Sequence, residues 1–151
     1  MIRSIQPDDR GRVVSLQQSL LSSPWPALLE LALEQPTDES PLCLVAVASE
    51  HSAPIGYVLA IDGGRDDDDT GCYVAEIAVE PSHRRDGHAT ALLKAVATRT
   101  VANELTLSAR ADDEAALAFY RANDFELVER KPNEYDDEVD GLLLKKQIVS
   151  P

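Results

Sequence analysis

Between Pro81 and Thr90 the chain places Arg84-Arg85-Asp86-Gly87-His88-Ala89 where a helical pattern begins. A helix start leaves backbone N–H groups without partners and carries the positive end of the helix dipole, so such a run suits an anion such as a phosphate group. Gly87 and the small Ala89 would let that ligand approach the backbone closely. The local charge agrees. Between Glu80 and Thr100 the bases are Arg84, Arg85, Lys94 and Arg99 and the acids only Glu80 and Asp86, although the chain as a whole carries a net charge of −13. Asp86 is repelled by a neighbouring anion and must point into solvent if the loop holds one. A second stretch, Asp113, Ala116, Leu117 and Tyr120, falls on one helical face, an apolar stripe carrying one phenol that reads either as core or as a site.

Two elements must position the loop. Ala75-Glu76-Ile77-Ala78-Val79 is a short apolar run of strand type that Pro81 ends, and Gly87 opens a helix in which Leu92, Leu93, Val96 and Val101 recur and which runs to about Asn103. The second stretch needs a helix capped by Asp112 or Asp113 and followed by a strand over Phe125–Val128.

The two runs resemble the motifs of the GNAT-type N-acetyltransferase family. Its acetyl-CoA loop is Gln or Arg, two residues, Gly, one residue, then Gly or Ala, behind a strand ending in an Ala-Val-x-Pro-like turn. Arg84, Gly87 and Ala89 fill it behind Ala78-Val79-Glu80-Pro81. The family's second block is Asn, Ala three on, Leu or Phe then Tyr, and Gly-Phe; Ala116, Phe119, Tyr120 and Phe125 match it, while Asp113 stands for Asn and Asp124 for Gly. Asp at 124 is tolerable because it can enter the left-handed region. Asp113 keeps an acceptor but loses the amide donor to pantetheine. The resemblance covers roughly the whole chain. It implies one domain over residues 1–151 and a mixed, layered α/β fold, with a mostly antiparallel sheet of about seven strands, flanking helices and a splayed parallel strand pair at the cofactor site.

The same resemblance implies a chemistry. Acetyl-CoA is the donor, contacted by Ile77, Ala78 and Val79 at the strand end, by Arg84, Arg85, Asp86, Gly87, His88, Ala89 and Thr90 around the helix start, and by Asp113 and Tyr120. The backbone N–H of Val79 polarises the carbonyl, and Tyr120 is the general acid for the departing thiolate. The acceptor is a primary amine of a small molecule or a protein N-terminus. An alkylammonium with a pKa of about 10.4 must lose a proton, and Glu76, on the cofactor strand, is the residue best placed to lead it away. Its other reading is a salt-bridged or exposed strand residue. In the branch that acetylates ribosomal-protein N-termini the base lies on the strand twelve residues before the tyrosine; that position is Ser108 here, which cannot serve. Neither block carries a cysteine, so transfer is expected to be direct, in a ternary complex. Two other readings are a non-catalytic acetyl-CoA sensor or partner module, and a loop that is only a helix cap. Homodimers are common in the family, although no stretch specifies one.

Composition bounds the rest. The acidic balance, with a pI near 4.5, argues against sequence-independent nucleic-acid binding. The acid lies in Asp66 to Asp69, in Asp136-Asp137-Glu138 and along the helices, while the lysines are only Lys94, Lys131, Lys145 and Lys146. Such a surface reads as adaptation to a salty, halophile-like cytoplasm whose acidic proteome it shares. With neither a leader nor an apolar run near 20 residues, a cytoplasmic location and no membrane contact are expected. Cys43 and Cys72 sit in apolar runs without metal-ligand spacing and form no cluster with the histidines, so no metal is expected.

The remaining elements follow from pattern. Met1–Gln6 is an edge strand. Val13, Leu16, Leu20 and Leu21 mark one helix, and Leu28, Leu29, Leu31 and Leu33 a second, which Trp25-Pro26 opens. The family lines its acceptor pocket with this pair, making Trp25, Glu30 and Glu34 candidate contacts, unless Trp25 staples the helix start to the core and the two glutamates form a solvated face. Leu42–Ala48 and Ile55–Ile61 form a hairpin, Gly63–Gly71 a polar loop, Leu105–Ser108 a short strand, and Val139–Ile148 the last strand.

Overall fold

The computed structural model describes residues 1–21, 24–34, 40–49, 51–62, 71–100, 102–135 and 137–148. The tract Asp66–Asp69, most of the Gly63–Gly71 loop, Val101 and Asp136 lie outside the described residues. In chain order the elements are β1 (Ile2–Ser4), α1 (Arg10–Leu20), α2 (Pro26–Glu34), β2 (Leu42–Val47), β3 (Pro54–Asp62), β4 (Gly71–Val79), α3 (His88–Arg99), β5 (Glu104–Arg110), α4 (Glu114–Ala122), β6 (Glu126–Lys131) and β7 (Gly141–Gln147). The strands follow the order β1-β2-β3-β4-β5-β7-β6 in one mixed sheet, mostly antiparallel, with β4 and β5 its parallel pair. This is the expected fold class. Two compact units are distinguished along the chain, residues 1–62 with 74–101, and residues 63–73 with 102–151.

The first unit is built on β2, of which every residue is buried, as its unbroken run Leu-Cys-Leu-Val-Ala-Val requires. It pairs antiparallel with β1 and β3. Val13 and Leu16 of α1, and Leu28, Leu29 and Ala32 of α2, pack with Val45, Val47, Tyr57 and Leu59 in one cluster. Leu31 of α2 stays exposed. Trp25 is also exposed, so the stapling reading of its ring does not hold; its carbonyl instead accepts from Leu29 N at 3.3 Å. In α3 the buried stripe is Leu92, Leu93 and Val96, each burial contributing about 1.5–3 kcal/mol. That helix ends earlier than its apolar pattern suggested. Thr100 N donates to Val96 O at 2.9 Å while Thr100 itself is extended.

In the second unit β7 lies between β5 and β6, antiparallel to both, with Ser108 opposite Leu143. Asp113, not Asp112, caps α4: its Oδ1 accepts from Ala116 N at 3.0 Å. Asp112 instead pairs with Arg110.

Candidate functional site

The loop after β4 is shaped by backbone that few residues adopt. Pro81–His83 forms a 3-10 turn. Arg85 and Gly87 then take positive φ, 70° and 85°, and α3 begins at His88, with Ala91 N donating to Gly87 O at 3.0 Å. Gly87 has no side-chain oxygen with which to cap the helix, so the first N–H groups of α3 are left for an anion. Arg84 to Gly87 are exposed, and His88, Ala89 and Thr90 half-buried. A Cβ built on Gly87 meets nothing within 4 Å. The glycine is therefore required by its φ and by the open space above it, not by packing. Arg84 Nε donates back to Val79 O at 3.1 Å, tying the loop to the strand it follows.

The end of β4 is held from two sides. Ala78 and Val79 are buried and Ile77 is half-buried. A Cβ on Gly56 would lie 2.8 Å from Ala78 O, so β3 approaches this backbone as closely as only glycine allows. Glu80 N donates to Ile55 O at 2.8 Å. Arg12 on α1 donates to Pro54 O and to Glu80 Oε2, both at 2.9 Å.

Glu76 is buried, at 5% exposure. Its Oε1 accepts from Gln17 Nε2 at 2.8 Å and from the Tyr57 hydroxyl at 2.9 Å, and its Oε2 accepts from Trp25 N at 2.6 Å. Neither of its sequence-based alternatives, salt-bridged or exposed, describes this: the carboxylate sits in a pocket of neutral donors contributed by α1, β3 and the residue before α2. Burial, then the Glu76 charge and hydrogen bond, push the Tyr57 phenol far above its ordinary value. Burial and the charges of Glu76 and Asp9 push the Cys43 thiol up to about 12. Gln17, Tyr57, Arg12 and the Trp25 amide were not singled out in the sequence. Their patterns read as core or surface, and only the fold brings them to β4.

In the second unit Tyr120 lies half-buried on α4, its ring edge-on to Phe119 at 5.4 Å and to Phe125 at 5.7 Å. Burial, then the Asp113 charge and the neighbouring Tyr135 and Tyr73, push its phenol up to about 12. Asp124 has φ 70°, the left-handed conformation expected for the family's glycine position, and Phe125 N donates to Tyr120 O at 3.0 Å. Asp113 caps α4 through Oδ1 alone. Arg110 pairs with Asp112 and Asp137 and lies over the Tyr135 ring, 5.1 Å from its centre. Ser108, the position of the base in one branch, is on β5. Of the other pocket candidates, Glu30 is half-buried and paired with Arg10, and Glu34 ends α2.

The family description "Acetyltransferase (GNAT) family" matches residues 11–125. The chain belongs to this family and is an acyltransferase. Among solved structures it resembles Ard1 from Thermoplasma volcanium, with a TM-score of 0.82 at 22% identity, over 99% of this chain and 98% of that one. It is similar to NAA60 of Arabidopsis thaliana in complex with acetyl-CoA, with a TM-score of 0.80 at 21% identity over 98% of each. A third likeness is to the ribosomal-protein-S18-alanine N-acetyltransferase of Escherichia coli, with a TM-score of 0.76 at 22% identity, over 100% of this chain and 95% of that one. At these identities the likeness is one of fold. Among curated proteins none matches.

Proposed function

We propose that the chain is an acetyl-CoA-dependent N-acetyltransferase that moves the acetyl group to a primary amine of a small molecule or of a protein N-terminus, by direct transfer in a ternary complex. The observation that supports this most is the start of α3, where an exposed left-handed glycine leaves helix N–H groups open at the family's phosphate position. In this reading Arg84, Arg85, Asp86, Gly87, His88, Ala89 and Thr90 surround the phosphates, Ile77, Ala78 and Val79 present backbone to the acetyl and pantetheine groups, and Asp113 and Tyr120 complete the contacts. The buried Cys43 thiol, held near 12, offers no thiolate at neutral pH. That supports transfer without a covalent acyl-enzyme. A cytoplasmic setting belongs to the same reading, and no described helix is long and apolar enough to cross a membrane.

Tyr120 acts on the leaving thiolate as a hydrogen-bond donor. A phenol near 12 beside a thiol of about 8.5 makes complete proton transfer uphill, so its proton stabilises the developing charge without being lost. For Glu76 the three donors on its two oxygens support a positioning role: it holds Trp25 N and Gln17 against β4. Deprotonation of the acceptor amine then falls to another group. The test is a panel of primary amines assayed by release of free thiol from acetyl-CoA. Turnover of any member that drops with Tyr120→Phe supports the enzyme; binding of acetyl-CoA without turnover of any amine class overturns it.

The second reading, a module that binds acetyl-CoA without turnover, is favoured by the occupied Glu76 carboxylate and by Asp113 serving as a helix cap. The same panel separates the two.

A further inference from the structure

We propose that His83, Asp86 and His88 form a binding site for a divalent transition-metal ion of the zinc, nickel or cobalt kind. Each residue offers one ligand atom, and these atoms all lie within 4.8 Å of one another, the one such group among the described residues. The two imidazole rings stand 6.2 Å apart between centres at 71°. His83 ends the 3-10 turn, with its N–H donating to Glu80 O at 2.9 Å, and His88 is the first residue of α3. Both imidazoles therefore stand on regular backbone. Asp86 lies between them on the exposed turn that the positive φ of Arg85 and Gly87 folds back on itself.

Donor chemistry selects the ion. Metal–nitrogen and metal–oxygen bonds near 2.0–2.2 Å place the donors around one ion about 3–4 Å apart. A spread of up to 4.8 Å closes to that by small rotations, most simply of the exposed Asp86. Two imidazoles and one carboxylate suit zinc, nickel, cobalt or copper rather than calcium or magnesium, which take oxygen ligands. Local charge sharpens the choice: Arg84 and Arg85 outnumber the single carboxylate within the loop, so an ion held by charge alone gains little, while one held by imidazole nitrogen gains from its bonds. Three protein donors leave coordination positions for water or for a ligand oxygen. The site stands on these donors and not on the acetyl-CoA reading, and it is tested without coenzyme.

The experiment titrates zinc chloride into the full-length protein by calorimetry, and follows cobalt(II) by its visible absorption on coordination. One saturable site per chain is expected, weakened about tenfold or more by His83→Ala and by His88→Ala, and unchanged by His51→Ala, the remaining histidine. Circular dichroism establishes that the variants fold. Absence of saturable binding overturns the site. So does binding that survives both substitutions, which would place the ion on an acidic tract, or magnesium binding as tightly as zinc.

Discussion

Replacing Glu76 with Gln separates an anchor from a base. The substitution keeps size and shape but turns one of two acceptor oxygens into a donor. If the amide oxygen stays with Gln17 Nε2 and the Tyr57 hydroxyl, at 2.8 and 2.9 Å, the new NH2 faces Trp25 N, now 2.6 Å from an acceptor. A buried donor left without a partner costs about 1–3 kcal/mol, and two bonds lose the strength that charge lent them, about 1 kcal/mol each. The sum is about 3–5 kcal/mol, a large part of the ~5–15 kcal/mol stability of an ordinary domain. For a chain of this length that lowers the melting temperature by roughly 6–20 °C. Thermal melts and urea titrations measure it. Tyr57→Phe, which removes one donor and leaves the carboxylate, falls by about 1 kcal/mol. In the acetylation assay Glu76→Gln keeps the pH profile of kcat/KM unchanged in shape, because an anchor and not the acceptor of the substrate proton is removed. Stability within about 0.5 kcal/mol of the parent, together with loss of the acidic limb of that profile, would refute the anchor and restore Glu76 as the base.

Other outcomes follow from the same structure. The raised phenol of Tyr120 implies that its proton is retained well beyond pH 10: the difference titration between the parent and Tyr120→Phe shows one ionisation near pH 12. A folded-state value raised above the unfolded one of about 10 also means that this group stabilises the unionised fold at lower pH and withdraws that support as pH rises from about 10 towards 12; a step below pH 10 would contradict the burial. Cys43 and Cys72 are buried, and an aromatic disulfide reagent at pH 8 reacts with neither until urea is added, when it titrates two thiols per chain; rapid native labelling would contradict this. With a net charge of −13, stability against urea rises from low to molar salt as self-repulsion is screened, and a flat response removes the proposed salt adaptation.

What the sequence carried was local. The turn after β4, the strand before it and the Tyr120 helix are each written in fewer than two dozen consecutive residues, and periodicity, turn residues and family spacing all act at that range. Asp124 was readable for the same reason, since the substitution of an expected glycine by Asp points to one backbone conformation. The surroundings of Glu76 were not readable. Its partners stand 59, 51 and 19 residues away, and one of them is a backbone amide, which no residue type announces. Trp25 misled for a related reason: its ring is the conspicuous feature in the sequence, but its N–H is what the fold uses. The convergence of His83, Asp86 and His88 is close in sequence yet depends on Arg85 taking positive φ, a conformation arginine rarely adopts. The end of α3 at Arg99 lay inside an apolar pattern that continued to Val101, and hydrophobic spacing alone does not stop a helix.

The most direct test of the account is a calorimetric titration of acetyl-CoA into the parent protein and into Gly87→Trp, in high salt. A side chain at Gly87 enters open space, and its strain at φ 85° is about 1–2 kcal/mol, so the variant folds. The account predicts saturable binding to the parent and none to the variant. Binding of equal strength to both would take the phosphates away from the start of α3, and no binding to either would remove acetyl-CoA from the function of this chain.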